Sequence, residues 1–396
     1  MEMIFVQAKE LQGQMVTWRR ELHQIPETGL FLPKTAAYVK TQLKEMGLSY
    51  QEYAGHSGMT VCIGHGERKV ALRADMDALP VREESGESFA ATGDFMHACG
   101  HDSHTAMLLG AAKLLKMHEK ELKGAVQLIF QPAEEGPGGA EPMVRDGVLK
   151  GVEAIFALHG GDLAGRYPSG QIAVSYGETF AADDEVVIDI VGEGGHGSRP
   201  DLCVDPVAVA TLIINNLQYI ISREISPYQT AVLTISCVSA GKVCNIIPGT
   251  ASIRGTLRNA APEVREYMCR RICEIAEGTA AMMHAKCKVS FAGYPALVNN
   301  REVVESFLKT ARKQVREEDI NILPHGLLGG EDAAFFFREV PGCYFFLPNN
   351  APCPADGQVY GLHNSKFCVD ESVFWLGSGL MVQSVIDWLD RSLDKE

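Results

Sequence analysis

The amino-acid sequence predicts an α/β fold, a mostly parallel sheet flanked by helices, interrupted by a small inserted domain of βαββαβ order. Three observations predict it. Short apolar runs alternate with helically periodic segments through the first part of the chain, the pattern of strands joined by crossover helices. Near Asp183 the pattern changes to strands of alternating polarity grouped around two helices. Beyond Pro295 the first pattern resumes. The expected division is therefore residues 1–183, an insertion over 184–294, and a return to the first domain over 295–396, and a length of 396 residues suits roughly two or three domains.

The elements follow in order. Leu11, Met15, Trp18 and Leu22 recur at helical spacing and predict a helix over residues 5–24, ended near Pro26. A second helix is expected over 34–46, stopped by Gly47. Strands are expected at 61–63 and 70–73, the latter leading into Ala74-Asp75-Met76-Asp77. Residues 104–117 read as a helix, with Asp102 or Ser103 as its N-cap. The runs 125–130 and 154–158 are apolar throughout or nearly so, as strands buried on both faces are. In the insertion, strands are expected at 185–191, 231–238, 251–257 and 286–291, with helices at 206–221 and 262–283, the second opened by Pro262. That order is the ferredoxin-like arrangement, a self-sufficient small domain. After it come helices at 303–317 and 332–338, a strand at 343–347 and a final helix at 371–393.

Composition narrows the function. The chain is 46% hydrophobic and 22% charged, ordinary for a globular protein, and its net charge of −14 argues against nucleic acid and anionic membrane surfaces as partners. No run of eighteen apolar residues predicts a membrane span. The start, Met1-Glu2-Met3-Ile4-Phe5-Val6, lacks the basic region and apolar core of a secretion signal. With 11 cysteines, an odd number scattered singly or in loose pairs, a reducing cytoplasmic setting is expected. Cys269 and Cys273, four apart on a predicted helix with no histidine at metal spacing, read as helix residues.

The chemistry is concentrated in His97-Ala98-Cys99-Gly100-His101-Asp102, followed by Glu134-Glu135, His159 and His363. Cys99 and His101 stand two positions apart and can point into one site. Most of the set falls at predicted strand ends, where open α/β sheets bind ligands. Singly, each histidine or cysteine reads as readily as a hydrogen-bonded core residue; together they suit divalent metal. Five ligands (Cys99, His101, Glu135, His159 and His363) exceed one tetrahedral zinc site, so two metals sharing a bridging Cys99 is the natural count. Two neighbouring carboxylates repel and favour different roles. Glu135 reads as the metal ligand and Glu134 as the general base, with a solvated acidic turn as the alternative. Asp75 and Asp77 point one way from a strand end and can orient ligand histidines. In the insertion, His196 lies in a Gly-rich loop and could donate to an oxyanion, Asn245 is a second candidate donor, and Arg258 could grip a carboxylate. Taken alone these three are also a loop residue, a turn cap and a surface charge. Neither Gly-rich stretch, 136–139 or 192–197, gives a nucleotide fingerprint, and no HExxH helix or GxSxG elbow occurs.

Several motifs lie along the chain: Arg19-Arg20-Glu21-Leu22-His23 with Pro26-Glu27, Leu72-Arg73-Ala74-Asp75-Met76-Asp77-Ala78-Leu79-Pro80, and HACGHDSHT from His97. With them stand QPAEEG from Gln131, Leu158-His159-Gly160, Gly195-His196, Gly330-Glu331-Asp332 and Leu362-His363-Asn364. Together they resemble the aminoacylase and carboxypeptidase family of two-metal peptidases. Within it the chain is most similar to the amidohydrolase branch of hippurate hydrolases, N-acyl-L-amino acid amidohydrolases and plant auxin-conjugate hydrolases. The resemblance implies a zinc-peptidase-like sheet domain and an inserted lid that also mediates a homodimer. It implies two divalent metal ions per chain (zinc, manganese, cobalt or nickel), bridged by Cys99 and completed by His101, Glu135, His159 and His363. It makes Glu134 the base and later proton donor, Asp77 the supporting aspartate, His196 and Asn245 the lid groups that steady the tetrahedral intermediate, and Arg258 the grip on the substrate carboxylate. Asp75 stands where other branches keep a metal histidine. Two departures bear on substrate preference: Leu30-Phe31-Leu32-Pro33 where an acidic residue is usual, and GHGSRPD, with Asp201, where a second histidine is usual.

The expected activity is hydrolysis of the amide bond of a small N-acyl amino acid. The alternatives are a dipeptidase or carboxypeptidase on the same scaffold, or a metal-bound binding protein without catalysis.

Overall fold

The computed structural model describes residues 2–162 and 167–391. Its contacts divide the chain into two units. The larger runs to Thr179 and takes in Val298–His325 and the chain from Asp332; the smaller is Phe180–Leu297 with Gly326–Glu331.

In chain order the larger unit begins with α1 (Glu2–His23), α2 (Pro33–Glu45), β1 (Tyr50–Glu52), β2 (Met59–Gly64) and β3 (Lys69–Asp75). Then come α3 (His101–Met117), β4 (Ala125–Gln131), α4 (Ala140–Arg145), β5 (Ala154–Gly160) and β6 (Ile172–Ser175), with β7 (Gly177–Phe180) at its boundary. The smaller unit holds β8 (Ala182–Val191), β9 (Gly195–His196), α5 (Pro206–Tyr219), β10 (Ala231–Ala240), β11 (Ile246–Ile247), β12 (Thr250–Asn259), α6 (Pro262–Met282) and β13 (Lys286–Tyr294). After β14 (Leu297–Asn299), the chain returns to the larger unit as α7 (Arg301–Ala311), β15 (Ile320–Leu323), α8 (Ala334–Glu339), β16 (Gly342–Leu347) and α9 (Phe374–Asp390).

The eight-stranded sheet has the order β1-β2-β4-β3-β5-β16-β6-β15. Its middle, β4-β3-β5-β16, is parallel throughout, while β1, β2 and the β16–β6 pair are antiparallel. These four central strands are buried on both faces apart from Lys69, which is why they read as apolar runs without alternation. Helices α1, α3 and α9 pack on one another, and α3 and α9 pack on this sheet. The apolar body of α3 is buried on every side from His101 to Ala112, so it is a core helix that carries functional groups at its first turn. In a parallel sheet all strand ends of one polarity lie along one edge; the chemistry-bearing residues lie at or beyond the carboxyl ends of β3, β4, β5 and β16.

The smaller unit has its own core, built from Val186, Ile188 and Ile190 of β8 against Ile213 and Leu217 of α5 and Met268 and Ile272 of α6. Its sheet order, β10-β12-β8-β13, is antiparallel throughout, the ferredoxin-like order of a βαββαβ chain. Each strand of β8 and β12 alternates buried and more exposed residues, because helices cover one face.

Some expectations change. The helix expected from residue 104 begins at His101, with Gly100 at the N-cap in the left-handed region (φ 84). Asp102 is not the cap because the helix starts one residue before it; its Oδ2 is held by Arg19 Nε at 2.8 Å and His23 Nδ1 at 2.7 Å, and its Oδ1 accepts the Ser103 N–H at 2.9 Å. The helix expected to reach residue 317 stops at Ala311, and the final helix is Phe374–Asp390; residues 392 and 393 lie outside the described part. Strands β6 and β15, four residues each, pair with one another in parallel. They were too short to register as periodic segments.

Candidate metal centre

Three turns at the sheet edge deliver the donors. After β3, Asp77 accepts the backbone N–H of Glu134 on Oδ1 and that of Glu135 on Oδ2, both at 3.0 Å. One carboxylate thereby clamps the turn that follows β4. Within that turn Ala133 has φ 59, a conformation non-glycine residues avoid, and it presents Glu134 and Glu135 on adjacent positions. The far side of the turn is held by Asp332, whose Oδ2 accepts the N–H groups of Gly139 (2.8 Å) and Ala140 (2.9 Å). A Cβ on Gly139 would lie 1.8 Å from the Pro132 carbonyl oxygen, so only glycine fits. Asp332 is in turn bound by Gln131 Nε2 at 2.6 Å and faces Arg73, all of them buried.

Cys99 and His101 flank the left-handed Gly100 at the start of α3, which lets both side chains point into the core of the site. His159 lies one residue from the end of β5, and its Nε2 is 3.5 Å from Cys99 Sγ. His363 comes from the loop between β16 and α9; it also has a positive φ (64) and its N–H donates to the Ala98 carbonyl at 2.8 Å. Its Nε2 is 3.1 Å from Glu135 Oε1. The structure thus brings together Cys99, His101, Glu134, Glu135, His159 and His363.

Two groups of three donors, Cys99–His101–His159 and Cys99–Glu135–His363, each gather their ligand atoms within 4.8 Å of one another and share the Cys99 sulfur. His101 Nε2 is buried, 3.9 Å from both Asp75 Oδ2 and Glu135 Oε1, and has no hydrogen-bond partner among the described residues. A buried imidazole nitrogen left in that condition costs free energy unless something accepts or binds there. Thiol, imidazole and carboxylate donors around it fit zinc or a neighbouring divalent transition metal.

The electrostatics are those of a buried site rich in carboxylates. Burial, followed by the carboxylates of Glu135, Glu134 and Asp75, pushes the Cys99 thiol well above its ordinary range. Burial opposes protonation of His101, yet Asp75, Asp77 and Glu135 outweigh it and raise the ring to about 10. Burial and the neighbouring His104 and His101 rings hold His159 well below its ordinary value, in the neutral form that binds metal. Burial favours protonation of Glu135, but His363 and His101 outweigh it and hold the carboxyl below its ordinary range.

The remaining residues singled out in the sequence belong to the smaller unit. His196 stands on β9, and its Nδ1 accepts the Ser198 N–H at 3.1 Å with the Ser198 hydroxyl at 2.8 Å. Asn245 immediately precedes β11, which pairs with β9 through Ile246 opposite His196; its carbonyl accepts the Gly197 N–H at 2.9 Å. Arg258, on β12, sits opposite Asp183 on β8 and forms an ion pair with it.

Sequence reasoning missed three buried groups. His104 Nδ1 bonds Asp75 Oδ1 at 2.6 Å, Asn349 Oδ1 accepts the Gly161 N–H at 2.7 Å, and Arg73 bonds Asp75 Oδ2 at 2.8 Å. The signal for His104 was its place three residues after His101 on one helix, hence on the same face. Nothing in the sequence marks Asn349.

The sequence matches the model of peptidase family M20/M25/M40 over residues 71–385. It is 38% identical to thermostable carboxypeptidase 2 of Saccharolobus solfataricus over 382 residues, 93% of this chain and 94% of that protein. It is 35% identical to the N-acetyl-L-cysteine deacetylase of Bacillus subtilis over 392 residues, 98% of this chain and 91% of that protein. Among solved structures it is similar to the Bacillus subtilis YXEP protein, described as a dinuclear metal binding peptidase of the M20 family. The TM-score is 0.81 and the identity 30%, covering 96% of this chain and 99% of that one.

Proposed function

The chain belongs to peptidase family M20/M25/M40 and is a hydrolase, and from that premise we propose that it removes the acyl group from an N-acyl amino acid at a two-metal centre. The observation that carries this reading is the sharing of Cys99 between two groups of metal donors beside Glu134. Cys99 would bridge the two ions, with His101, His159, Glu135 and His363 completing their shells. Two divalent cations there would polarise the amide carbonyl and make water acidic enough to deprotonate near neutral pH.

The chain's own residues do the rest. Glu134 takes the proton from the attacking water and returns it to the leaving amine. Asp77 holds Glu134 and Glu135 in place through their backbone N–H groups. In the smaller unit, His196 has its Nδ1 occupied as an acceptor from the Ser198 N–H, which leaves Nε2–H to donate to a developing oxyanion. Asn245 supplies a second donor. Arg258 binds the free carboxylate of the substrate, exchanging Asp183 for it. We assign residues 184–294 the role of a lid that also makes the homodimer, set between the two segments of the catalytic domain. Eleven free thiols support a reducing, cytoplasmic setting.

The deacetylase relative supports the acyl substrate. A second reading, cleavage of the C-terminal residue of a peptide, is favoured by the carboxypeptidase relative, since a grip on a free carboxylate serves both. The test is metal content per chain together with amine release from matched panels of N-acetyl amino acids and dipeptides. Close to two metals per chain with chelator-sensitive release from the acyl panel supports the proposal. Release from the peptides alone transfers it to the second reading, and a chain that takes no metal after reconstitution overturns both.

A further inference from the structure

We propose that His104 is a positioning residue that links the buried Asp75 carboxylate, through the backbone of Gly160, to the ring of His159 and so fixes which nitrogen His159 turns toward Cys99. The inference rests on reading the Cys99-centred cluster as a metal centre, but its geometry stands independently.

His104 lies in the first turns of α3 and is buried. Its Nδ1 is 2.6 Å from Asp75 Oδ1, and its Nε2 accepts the Gly160 N–H at 2.7 Å. A backbone N–H can only donate, so Nε2 carries no proton; the carboxylate can only accept, so Nδ1 carries one. Both nitrogens are therefore committed. Although Asp75, His101 and His104 lie close enough together to suggest a third metal group, His104 has no lone pair left for it.

The backbone of Gly160 passes the constraint on through the two peptide groups that flank its Cα. While its N–H donates to His104, its carbonyl accepts from His159 Nδ1 at 2.6 Å. The proton of His159 is thus on Nδ1, and the Nε2 lone pair is the one 3.5 Å from Cys99 Sγ. Gly160 has no room for a side chain, because a Cβ would meet Asn349 Oδ1 at 2.8 Å and His104 Nε2 at 3.3 Å. Asn349 Oδ1 fixes the next N–H, that of Gly161, at 2.7 Å. The far end is equally anchored, with Arg73 on Asp75 Oδ2 at 2.8 Å and the Thr105 hydroxyl on the Asp75 carbonyl at 2.7 Å. Metal-ligating histidines commonly donate their second N–H to a carboxylate or carbonyl that sets the tautomer. Here the carboxylate acts indirectly, with a histidine and the backbone of Gly160, whose N–H and carbonyl belong to successive peptide groups, between it and the ligand.

The test uses the full chain labelled with ring-15N histidine, with tautomers read by NMR in the metal-free protein. Cobalt(II) affinity is read separately from the visible absorption spectrum. Wild type is expected to show Nδ1–H tautomers at both His104 and His159. His104→Leu should release His159 into a tautomer mixture and weaken one cobalt ion about 10- to 100-fold. His104→Gln, whose amide oxygen can still accept the Gly160 N–H, should restore most of that affinity. An Nε2–H tautomer at wild-type His104 overturns the proposal even if the leucine variant does not fold. So does an unchanged His159 tautomer with unchanged cobalt affinity in His104→Leu. A wild type whose His159 tautomer depends on His104, yet which binds no cobalt, supports the relay and overturns the metal reading instead.

Discussion

Glu134 and Glu135 are neighbours with one clamp and different surroundings. Glu135 is drawn toward His363 and His101, while Glu134 is more deeply buried and hangs from the same Asp77 by its own N–H. Replacing Glu134 by Gln keeps the shape and removes the proton carrier. The expected result is a fall in kcat of about 10²- to 10⁴-fold with metal content unchanged, checked by steady-state kinetics and metal analysis on one preparation. Asp77→Ala acts differently. It frees both N–H groups of the turn, so metal content and activity should fall together, with affinity for one ion lower by about 10- to 100-fold in an equilibrium metal titration.

At the level of elements, the loop between β4 and α4 shows how a sequence pattern becomes a rigid turn. Asp332 satisfies two of its buried N–H groups from a part of the chain nearly two hundred positions away. Asp332→Ala should destabilise the protein by about 1–3 kcal/mol for each N–H left without an acceptor, measured by denaturant unfolding, and should lower metal content with it. A second device ties α1 to the loop after β3: His23 lies between Asp102 and Glu83, with Arg19 and His97 also facing it. Burial and Arg19 work against protonation of His23, but Asp102 and Glu83 outweigh them and raise its pKa. Stability gained from a raised histidine is complete below its unfolded value and is lost as pH rises through the folded one. The melting temperature of His23→Gln should therefore lie further below wild type at about pH 6 than at about pH 9.

For the whole molecule, a separate hydrophobic core in each unit implies two cooperative units. One is built on α1, α3, α9 and the large sheet; the other lies between α5, α6 and the four-stranded sheet. All the proposed metal ligands belong to the first. Ligand binding stabilises only the unit it binds, by about 2.7 kcal/mol at a hundredfold excess over Kd. Calorimetry with and without chelator should thus shift the melting of the large unit and leave that of the smaller one in place.

The sequence by itself determined the class of fold, and it supplies the expected interruption near Asp183 and the proposed donor set, because each leaves a local record. Strands buried on both faces are apolar runs, a βαββαβ insertion shows its own periodicity, and thiol, imidazole and adjacent carboxylates are rare enough in combination to name a chemistry. The tertiary structure alone decided how the donors are held. Asp102 could have capped α3, but the helix starts one residue before it and Arg19 and His23 hold its carboxylate; Asp75 could have touched a ligand, but it bonds His104 instead. Asn349 is unremarkable in sequence, and Asp332, although part of the Gly330-Glu331-Asp332 motif, gives no local sign of which groups it holds; both become structural only where the chain returns to the strand ends. Hydrogen bonds between residues distant in sequence follow from which groups are buried together, and that is settled by packing the whole sheet and its helices, not by any window of the chain.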